Sequence, residues 1–285
     1  MELHVLDHPL VEHKLTVLRD KNTSSATFRE LVTELVMLEA YEATRNLDIV
    51  DKPIETPVAP MVGKHIASPA PIIVPVLRAG LGMLDGMTKM IPTAEVGFLG
   101  MKRDEEHPTQ QITYANRLPE DLTGRQCFLI DPMLATGGTL VTATHYLAER
   151  GAKDVTAINI IAAPEGIQYV QDHIDPSIAF KVVVCAVDEK LNEKAYIVPG
   201  LGDGGDRLLD PRHARDRDII DKARSPPGDH LQPRIVRRRR GQPDEVEPGR
   251  PGRQAQLGIL LGRQVDDDQP VRPGGLGVGQ KAFVA

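Results

Sequence analysis

Cysteine and aromatic residues are scarce in this chain of 285 residues. It contains two cysteines, Cys127 and Cys185, no tryptophan, and only 4% aromatic residues. Two cysteines within apolar, strand-like runs do not make a disulfide framework, and no Cys/His spacing is typical of a zinc site. We therefore interpret both as buried free thiols of a protein that resides in a reducing compartment.

Long apolar segments are also absent. No run approaches the roughly 20 apolar residues that cross a bilayer. The first residues, MELHVLDHPLVEHK, lack the basic start and apolar core of a signal peptide. We expect a cytoplasmic protein without a membrane partner.

Positive charge is in deficit over most of the chain and concentrated at its end. Residues 1–210 hold 19 Lys and Arg against 30 Asp and Glu, whereas residues 211–285 hold 15 against 10. These last 75 residues also contain nine of the 23 prolines and ten glycines. Such a segment buries little apolar surface. We predict a folded domain over 1–210 and a disordered, low-complexity tail rich in Pro, Gly and Arg over 211–285.

Two elements are predicted before residue 70. In residues 23–47, Phe28, Leu31, Leu35 and Leu38 recur at helical spacing, and Ser24 or Ser25 is placed to cap the helix. Residues 52–66 are interrupted by prolines, which favours an extended edge arm over a core strand.

Short apolar runs alternate with helical patterns after residue 70. We predict strands over 71–77, 95–100, 127–131, 155–162 and 181–188, and helices over 80–91, 137–151 and 164–174. This alternation is typical of an α/β fold, in which helices cover both faces of a parallel sheet. Residues 101–124 are polar and interrupted by proline, so we predict a long functional loop or a protruding hairpin there.

The sequence LIDPMLATGGTL, residues 129–140, carries the clearest chemical signal. Asp131 ends a predicted strand, and ligands of open parallel sheets bind at the carboxyl ends of strands. The small residues 135–139 then lead into a helix, where backbone N–H groups and the Thr136 and Thr139 hydroxyls can hold a phosphate. A bare Gly-Gly-Thr is more often a tight turn, but the acid upstream favours a phosphorylated sugar.

This stretch resembles the phosphoribosyl-pyrophosphate (PRPP) motif of type I phosphoribosyltransferases. Its form is similar to that of the uracil phosphoribosyltransferases, which have Pro, as at Pro132, where many relatives have a second acid. Further segments resemble that family in the same order along residues 3–208. They are HPLVEHKLTVLRD (8–20), FRELVTELVMLEAYEAT (28–44), PVLRAGLGMLDGM (75–87), GMKRDEE (100–106) and AYIVPGLGDGGDR (195–207).

The resemblance implies a fold and an activity. The fold is α/β, with a parallel sheet of about five strands, flanking helices and a small hood. The activity is phosphoribosyl transfer from PRPP to uracil, giving UMP and pyrophosphate. Mg²⁺ would be held by PRPP rather than directly by protein ligands. A homo-oligomer and GTP as an effector are also implied.

The resemblance also assigns site residues. Asp131, Arg103 and Asp203 are expected to be catalytic. Uracil is expected to contact Ile197, Gly202, Asp203 and Gly204. The expected PRPP-binding residues are Arg78, Arg103, Asp131, Pro132, Met133, Leu134, Ala135, Thr136, Gly137, Gly138, Thr139 and Asp203.

Some positions depart from the family pattern. The family usually has Tyr where Lys102 stands and Ala where Gly204 stands, and it usually ends a few residues beyond Arg207. We interpret Gly204 as compatible with a backbone contact to the base, and we assign Lys102 no firm role. The sequence GLGDGG, residues 200–205, fits a dinucleotide fingerprint, but it follows the last predicted strand of the sheet, so we reject that interpretation.

Three alternatives remain in view. A non-catalytic regulator that binds nucleotides and RNA normally keeps two acids in the motif and a basic body, unlike this chain. A purine phosphoribosyltransferase is disfavoured by the segment 195–207. The run RRRR at 237–240 could attract nucleic acid through phosphate charge, but a disordered tail is the preferred interpretation, and nucleic acid is not an expected partner.

The tail should be dispensable for this chemistry, because the matching segments end at Arg207 and the tail cannot form a packed core. We expect truncation after Asp210 to leave the rate of UMP formation equal to or above that of the full chain. Parallel assays of the two proteins check this. A truncated protein that folds but makes no UMP would contradict it.

Overall fold

The computed structural model describes residues 1–103 and 111–209. The predicted tail at 211–285 and residues 104–110 of the long connection lie outside the described residues. The strands are β1 (Glu2–Val5), β2 (Ile49–Glu55), β3 (Pro60–Ile66), β4 (Ile72–Leu77), β5 (Glu95–Val96), β6 (Phe98–Arg103), β7 (Gln111–Arg117), β8 (Gln126–Ile130), β9 (Met133–Leu134), β10 (Asp154–Ala162), β11 (Ala179–Val187), β12 (Lys190–Leu191) and β13 (Ile197–Val198). The helices are α1 (Pro9–Arg19), α2 (Ser25–Ala43), α3 (Leu81–Met90), α4 (Gly138–Ala148), α5 (Pro164–His173) and α6 (Gly204–Leu209).

The central sheet has nine strands, in the order β1-β11-β10-β8-β4-β6-β7, with β5 beside β4 and β9 beside β10. Every pairing in it is parallel except that of β6 with β7. The α/β prediction is confirmed, and all five predicted strands are present. The run predicted at 95–100 is divided at Gly97 into β5 and β6, and the sheet is wider than the expected five strands.

Apolar side chains of the strands point alternately to the two faces of the sheet. On β8, Phe128 and Ile130 pack with the first three helices, whereas Cys127 and Leu129 pack with α4 and α5. Because helices cover both faces, these strands are nearly continuous apolar runs. Both cysteines are buried and free, as predicted.

The N-terminal elements were only partly predicted. The α2 helix starts as expected, with Ser24 Oγ accepting from Thr27 N, but it ends at Ala43, so the predicted end at residue 47 is wrong. Sequence reasoning did not identify α1, although its buried Val11, Leu15 and Leu18 have helical spacing. It also missed β1, a four-residue edge strand that is largely exposed.

Two hairpins project from the main layers. The predicted proline-rich arm forms a two-stranded antiparallel sheet of its own, β2–β3, rather than an edge of the central sheet. The predicted protruding connection forms the antiparallel pair β6–β7. Among the described residues, no helix combines the length and apolar content that crossing a bilayer requires.

An acidic side chain lies inside the core. Glu39 of α2 has no solvent exposure, and Cys185 Sγ donates to its Oε1 across 3.2 Å. Burial raises the pKa of Glu39 well above 4.5. The unfolded chain would ionise this group near its ordinary value, so the folded state binds one more proton above that pH. The contribution of Glu39 to the free energy of unfolding is therefore at its maximum below about pH 4.5, and it decreases as pH rises toward the folded-state pKa of Glu39.

Replacing Glu39 with Gln should remove this pH dependence. We expect Glu39→Gln to gain stability relative to wild type as pH rises from 5 to 8, by up to about 1.4 kcal/mol per pH unit below the folded-state pKa. Urea unfolding at both pH values measures this difference. Glu30→Gln, on an exposed position of the same helix, is the control. Equal pH dependence in wild type and Glu39→Gln would contradict the assignment.

Candidate active site

The strand, turn and helix predicted around residues 129–140 are present in the structure. The β8 strand ends at Ile130, Asp131 N donates to Ile158 O of β10 across 3.2 Å, and α4 begins at Gly138. Gly137 adopts a left-handed conformation, with φ of 84°, at the start of the helix. This is the strand–turn–helix arrangement that points backbone N–H groups at an anion.

Two cavities meet at this strand end. The larger, about 300 Å³, we call the loop cavity. It is lined by Asp131, Met133, Leu134, Ala135, Thr136, Gly137, Thr139, Leu140, Lys194, Ala195, Tyr196, Ile197, Gly202 and Asp203. The second, about 270 Å³, we call the Arg78 cavity. It is lined by Val76, Leu77, Arg78, Ala79, Met101, Lys102, Asp131 and Thr139.

Asp131 and Thr139 line both cavities. Asp131 is half-buried at the cavity walls, and desolvation by the surrounding protein raises the pKa of its carboxyl to about 7, although donation from Met133 N acts in the opposite direction. The group therefore changes charge near neutral pH. An acid with a shifted pKa at the junction of two cavities is a candidate for a functional role.

Residues 194–197, 202 and 203 complete the wall of the loop cavity. Gly200 has φ of 64°, and a Cβ there would lie 2.1 Å from Ile197 O, so this tight turn requires glycine. Gly200 N donates to Asp188 Oδ2 across 2.9 Å. Arg19 of α1 donates to both Asp188 oxygens, at 2.7 and 2.6 Å, and to Gly200 O at 2.8 Å. Arg19 therefore links α1 to this turn within the hood expected from the N-terminal segment and the residues after the fifth predicted strand. Arg207 adds a second link, because it donates to Leu201 O and Asp20 O across 2.9 and 2.8 Å.

Asp203 has a structural contact in addition to its place in the loop cavity. Its Oδ1 accepts from Asp206 N across 3.0 Å, which caps the short helix α6. The helix leads to no further strand within the described residues, in line with the rejection of a dinucleotide fingerprint.

Most of the residues predicted for the site lie around these cavities. Pro132, Gly138 and Gly204 line neither. Pro132 is buried, and its carbonyl accepts from Ile160 N and Ile161 N, so it fixes the chain rather than facing the cavity. Arg103 ends β6, next to Lys102 of the Arg78 cavity, and its side chain lies outside the described part.

The small residues after β4 bring separate chain segments together. They lie in the stretch LRAGLG, residues 77–82. In the structure, a Cβ at Gly80 would lie 2.4 Å from Ile130 O and 2.7 Å from Val76 O, so Gly80 permits close approach of two strand ends. A Cβ at Gly82 would lie 2.8 Å from the side chain of Leu208.

Sequence reasoning missed several residues of the site. Lys194, Ala195 and Tyr196 line the loop cavity, and Ala195 has an unusual φ of 58°. Asn159 is buried on β10, and its Nδ2 donates to Asp131 O across 2.6 Å. A polar residue within the apolar run VTAINIIA was the available signal for Asn159. The partnership of Arg19 and Asp188, 169 positions apart, left no local signal.

Comparisons with known proteins agree with this geometry. A family model described as uracil phosphoribosyltransferase matches residues 5–210. The uracil phosphoribosyltransferases of Bifidobacterium longum (strain DJO10A) and Beutenbergia cavernae are 88% and 62% identical over 208 residues, which are 73% of this chain and 98% of each relative.

A solved structure is also similar. The AQ2163 protein from Aquifex aeolicus superposes with a TM-score of 0.67 at 39% identity, covering 73% of this chain and 97% of that one. These matches favour an enzyme over the alternative of a non-catalytic regulator that binds nucleotides and RNA. The phosphate loop, the strand-end acid and the matched relatives lead to one conclusion: the chain belongs to the uracil phosphoribosyltransferase family.

Proposed function

We propose that this protein transfers the phosphoribosyl group of PRPP to N1 of uracil, giving UMP and pyrophosphate. The observation that carries the proposal is that Asp131 and Thr139 line both cavities. PRPP has two charged ends joined by a ribose. A carboxylate between two cavities, one with an anion-binding loop and one with Arg78, matches that distribution of charge.

Each part of PRPP has a place in this arrangement. The 5-phosphate binds residues 135–139 at the start of α4, where backbone N–H groups and the hydroxyls of Thr136 and Thr139 donate. The ribose hydroxyls donate to Asp131. Pyrophosphate lies in the Arg78 cavity, where Arg78 and Arg103 balance the negative charge that grows as it leaves.

Uracil lies against the segment that faces the loop. Ile197 contributes an apolar surface, and the tight turn at Gly202 and Gly204 offers backbone donors and acceptors to the edge of the base. Buried polar groups that pair with one base are left unpaired by a different base, which gives strong discrimination. Asp203 lies beside the ribose in this arrangement.

Magnesium fits this site as an ion carried by the substrate. Among residues 1–103 and 111–209, no group of three or more His, Cys, Asp or Glu side chains could hold a metal. Oxygen atoms of pyrophosphate and ribose are the ligands that Mg²⁺ prefers. When bound, the ion offsets negative charge on the leaving group, and the residues of the protein position the reactants.

We extend the proposal to location and partners. Free buried cysteines suit the cytoplasm, where thiols stay reduced. The β2–β3 hairpin exposes Val50, Ile54, Val58 and Val62, with Val58 at 94% exposure, and such apolar surface suits contact with another subunit in a homo-oligomer. GTP as an effector is proposed from the family resemblance.

The test of the reaction is an assay of purified protein with PRPP and Mg²⁺. We expect conversion of uracil to UMP and no comparable use of cytosine, hypoxanthine or guanine, because the edge of the base must match the turn at 202–204. Separation of the nucleotides by chromatography measures all four reactions. Comparable turnover of a purine base would refute the proposal.

Asp131 should impose a pH dependence on PRPP use. Its carboxylate, rather than its neutral form, accepts hydrogen bonds from two hydroxyls, so kcat/KM for PRPP should rise through about pH 7. Asp131→Asn should lose this limb and lower the rate about tenfold to a hundredfold, as one charge-assisted hydrogen bond is worth about 1.5–3 kcal/mol.

A comparison of wild type with Asp131→Asn distinguishes the ionisation of PRPP from that of Asp131. A phosphate ester ionises near pH 6, so the change in kcat/KM that ionisation of PRPP causes near that pH should persist in Asp131→Asn. Identical pH profiles in wild type and variant would show that Asp131 does not act on PRPP.

A further inference from the structure

The beginning of α5 is packed directly against the phosphate loop. A Cβ at Gly166 would lie 2.2 Å from Ala135 O and 3.1 Å from Leu134 O. In the opposite direction, a Cβ at Gly137 would lie 2.7 Å from Gly166 O. Ala163 N also donates to Leu134 O across 2.9 Å. The loop backbone and the helix are therefore in contact with no space for a side chain.

The same turn of α5 also contacts the β12–β13 hairpin, which carries Ile197, one of the residues proposed to bind uracil. Glu165 Oε1 accepts from Leu191 N across 2.9 Å. Leu191 belongs to β12 and pairs with Ile197 of β13. Donation from Leu191 N holds the pKa of Glu165 below its usual range, so this acceptor is ionised at neutral pH.

The β12–β13 hairpin has little regular structure of its own. It is a separate two-stranded sheet with two residues in each strand, and isolated two-stranded hairpins are marginally stable. Its position therefore depends on contacts with the rest of the protein. Ile197 is buried in the core and Leu191 packs against it, and the hydrogen bond from Leu191 N to Glu165 adds a polar contact that attaches β12 to α5.

We propose that Glu165 and Gly166 are positioning residues that set the distance between the phosphate loop and the uracil-binding hairpin. This inference rests on the proposed function, because it requires that the two half-sites bind PRPP and uracil. The two reactants must approach to about 3–3.5 Å for transfer to occur. One rigid helical turn in contact with both half-sites fixes that separation.

Substitutions at Glu165 and Gly166 should affect the binding of different substrates. This difference distinguishes a positioning role from a general effect on stability. Loss of the Glu165 contact releases the hairpin and should affect uracil. A side chain at residue 166 displaces the loop and should affect PRPP. A merely structural role would lower activity through the amount of folded enzyme, and both KM values would stay unchanged.

The Glu165 experiment uses the full chain and three variants. We expect Glu165→Ala to raise KM for uracil about threefold to tenfold, the effect of one weakened charge-assisted hydrogen bond. The Kd for PRPP, measured by titration calorimetry without uracil, should stay within about twofold of wild type. Glu165→Gln keeps an acceptor oxygen and should restore most of the uracil affinity.

Gln168→Ala is the matched control. Gln168 lies on α5 close to Glu165, and its side chain donates to Asp172 instead of the hairpin, so both constants should match wild type. An unchanged KM for uracil in Glu165→Ala, or equal rises for both substrates, would overturn the proposal for Glu165.

Gly166→Ala tests the loop contact. We expect its Kd for PRPP to rise at least about tenfold, because Ala135 O must move to admit a methyl group. Wild-type affinity for PRPP in folded Gly166→Ala would overturn the proposal for Gly166. Should circular dichroism show that Gly166→Ala is unfolded, the Glu165 series decides the proposal.

Wild-type activity separates the two hypotheses. A wild-type protein that makes no UMP refutes the proposed function. A wild-type protein that makes UMP, together with a Glu165→Ala variant of unchanged uracil KM, leaves the proposed function intact and refutes the positioning role.

Discussion

The parallel pairing of β8 with β4 and β10 is the constraint on which the site depends. Ile130, at the end of β8, pairs with Pro75 of β4 and Ile158 of β10. Parallel strands present their carboxyl ends at one edge of the sheet. The segments that carry Arg78 and Asp131 therefore leave the sheet side by side. Gly80 makes this possible, because no side chain separates its backbone from Ile130 O.

The proposed uracil site depends on contacts between distant parts of the chain. The segment 197–203 has little regular structure. Asp188, which Arg19 holds from α1, anchors it at Gly200, and Arg207 donates to Leu201 O. A largely buried ion pair repays its desolvation only with good geometry, and two short hydrogen bonds from one guanidinium provide it. The N-terminal helix thus supports the proposed uracil site, although it lines neither cavity.

Patterns in the sequence predicted those parts of the site whose residues are close together along the chain. Asp131, the small residues 135–139 and the following helix form one continuous motif, and the five core strands are long apolar runs. The roles of Arg19, Asn159 and Glu165 depend on the proximity of residues far apart in sequence, which no spacing rule reveals. The packing role of Gly80 was hidden for a related reason, because a glycine that admits a neighbouring strand has the same local pattern as one that admits a ligand.

Two of the acids with raised pKa values, Glu39 and Asp131, make folding a proton-consuming process near neutral pH. An unfolded chain would carry both groups ionised, and the folded chain holds protons on them. The heat of folding therefore includes the ionisation heat of the buffer that supplies those protons. The proton on Glu39 stays in the core of the folded protein at pH values below its folded-state pKa. The proton on Asp131 lies between the two cavities, so substrate that requires the carboxylate would return it to the solvent.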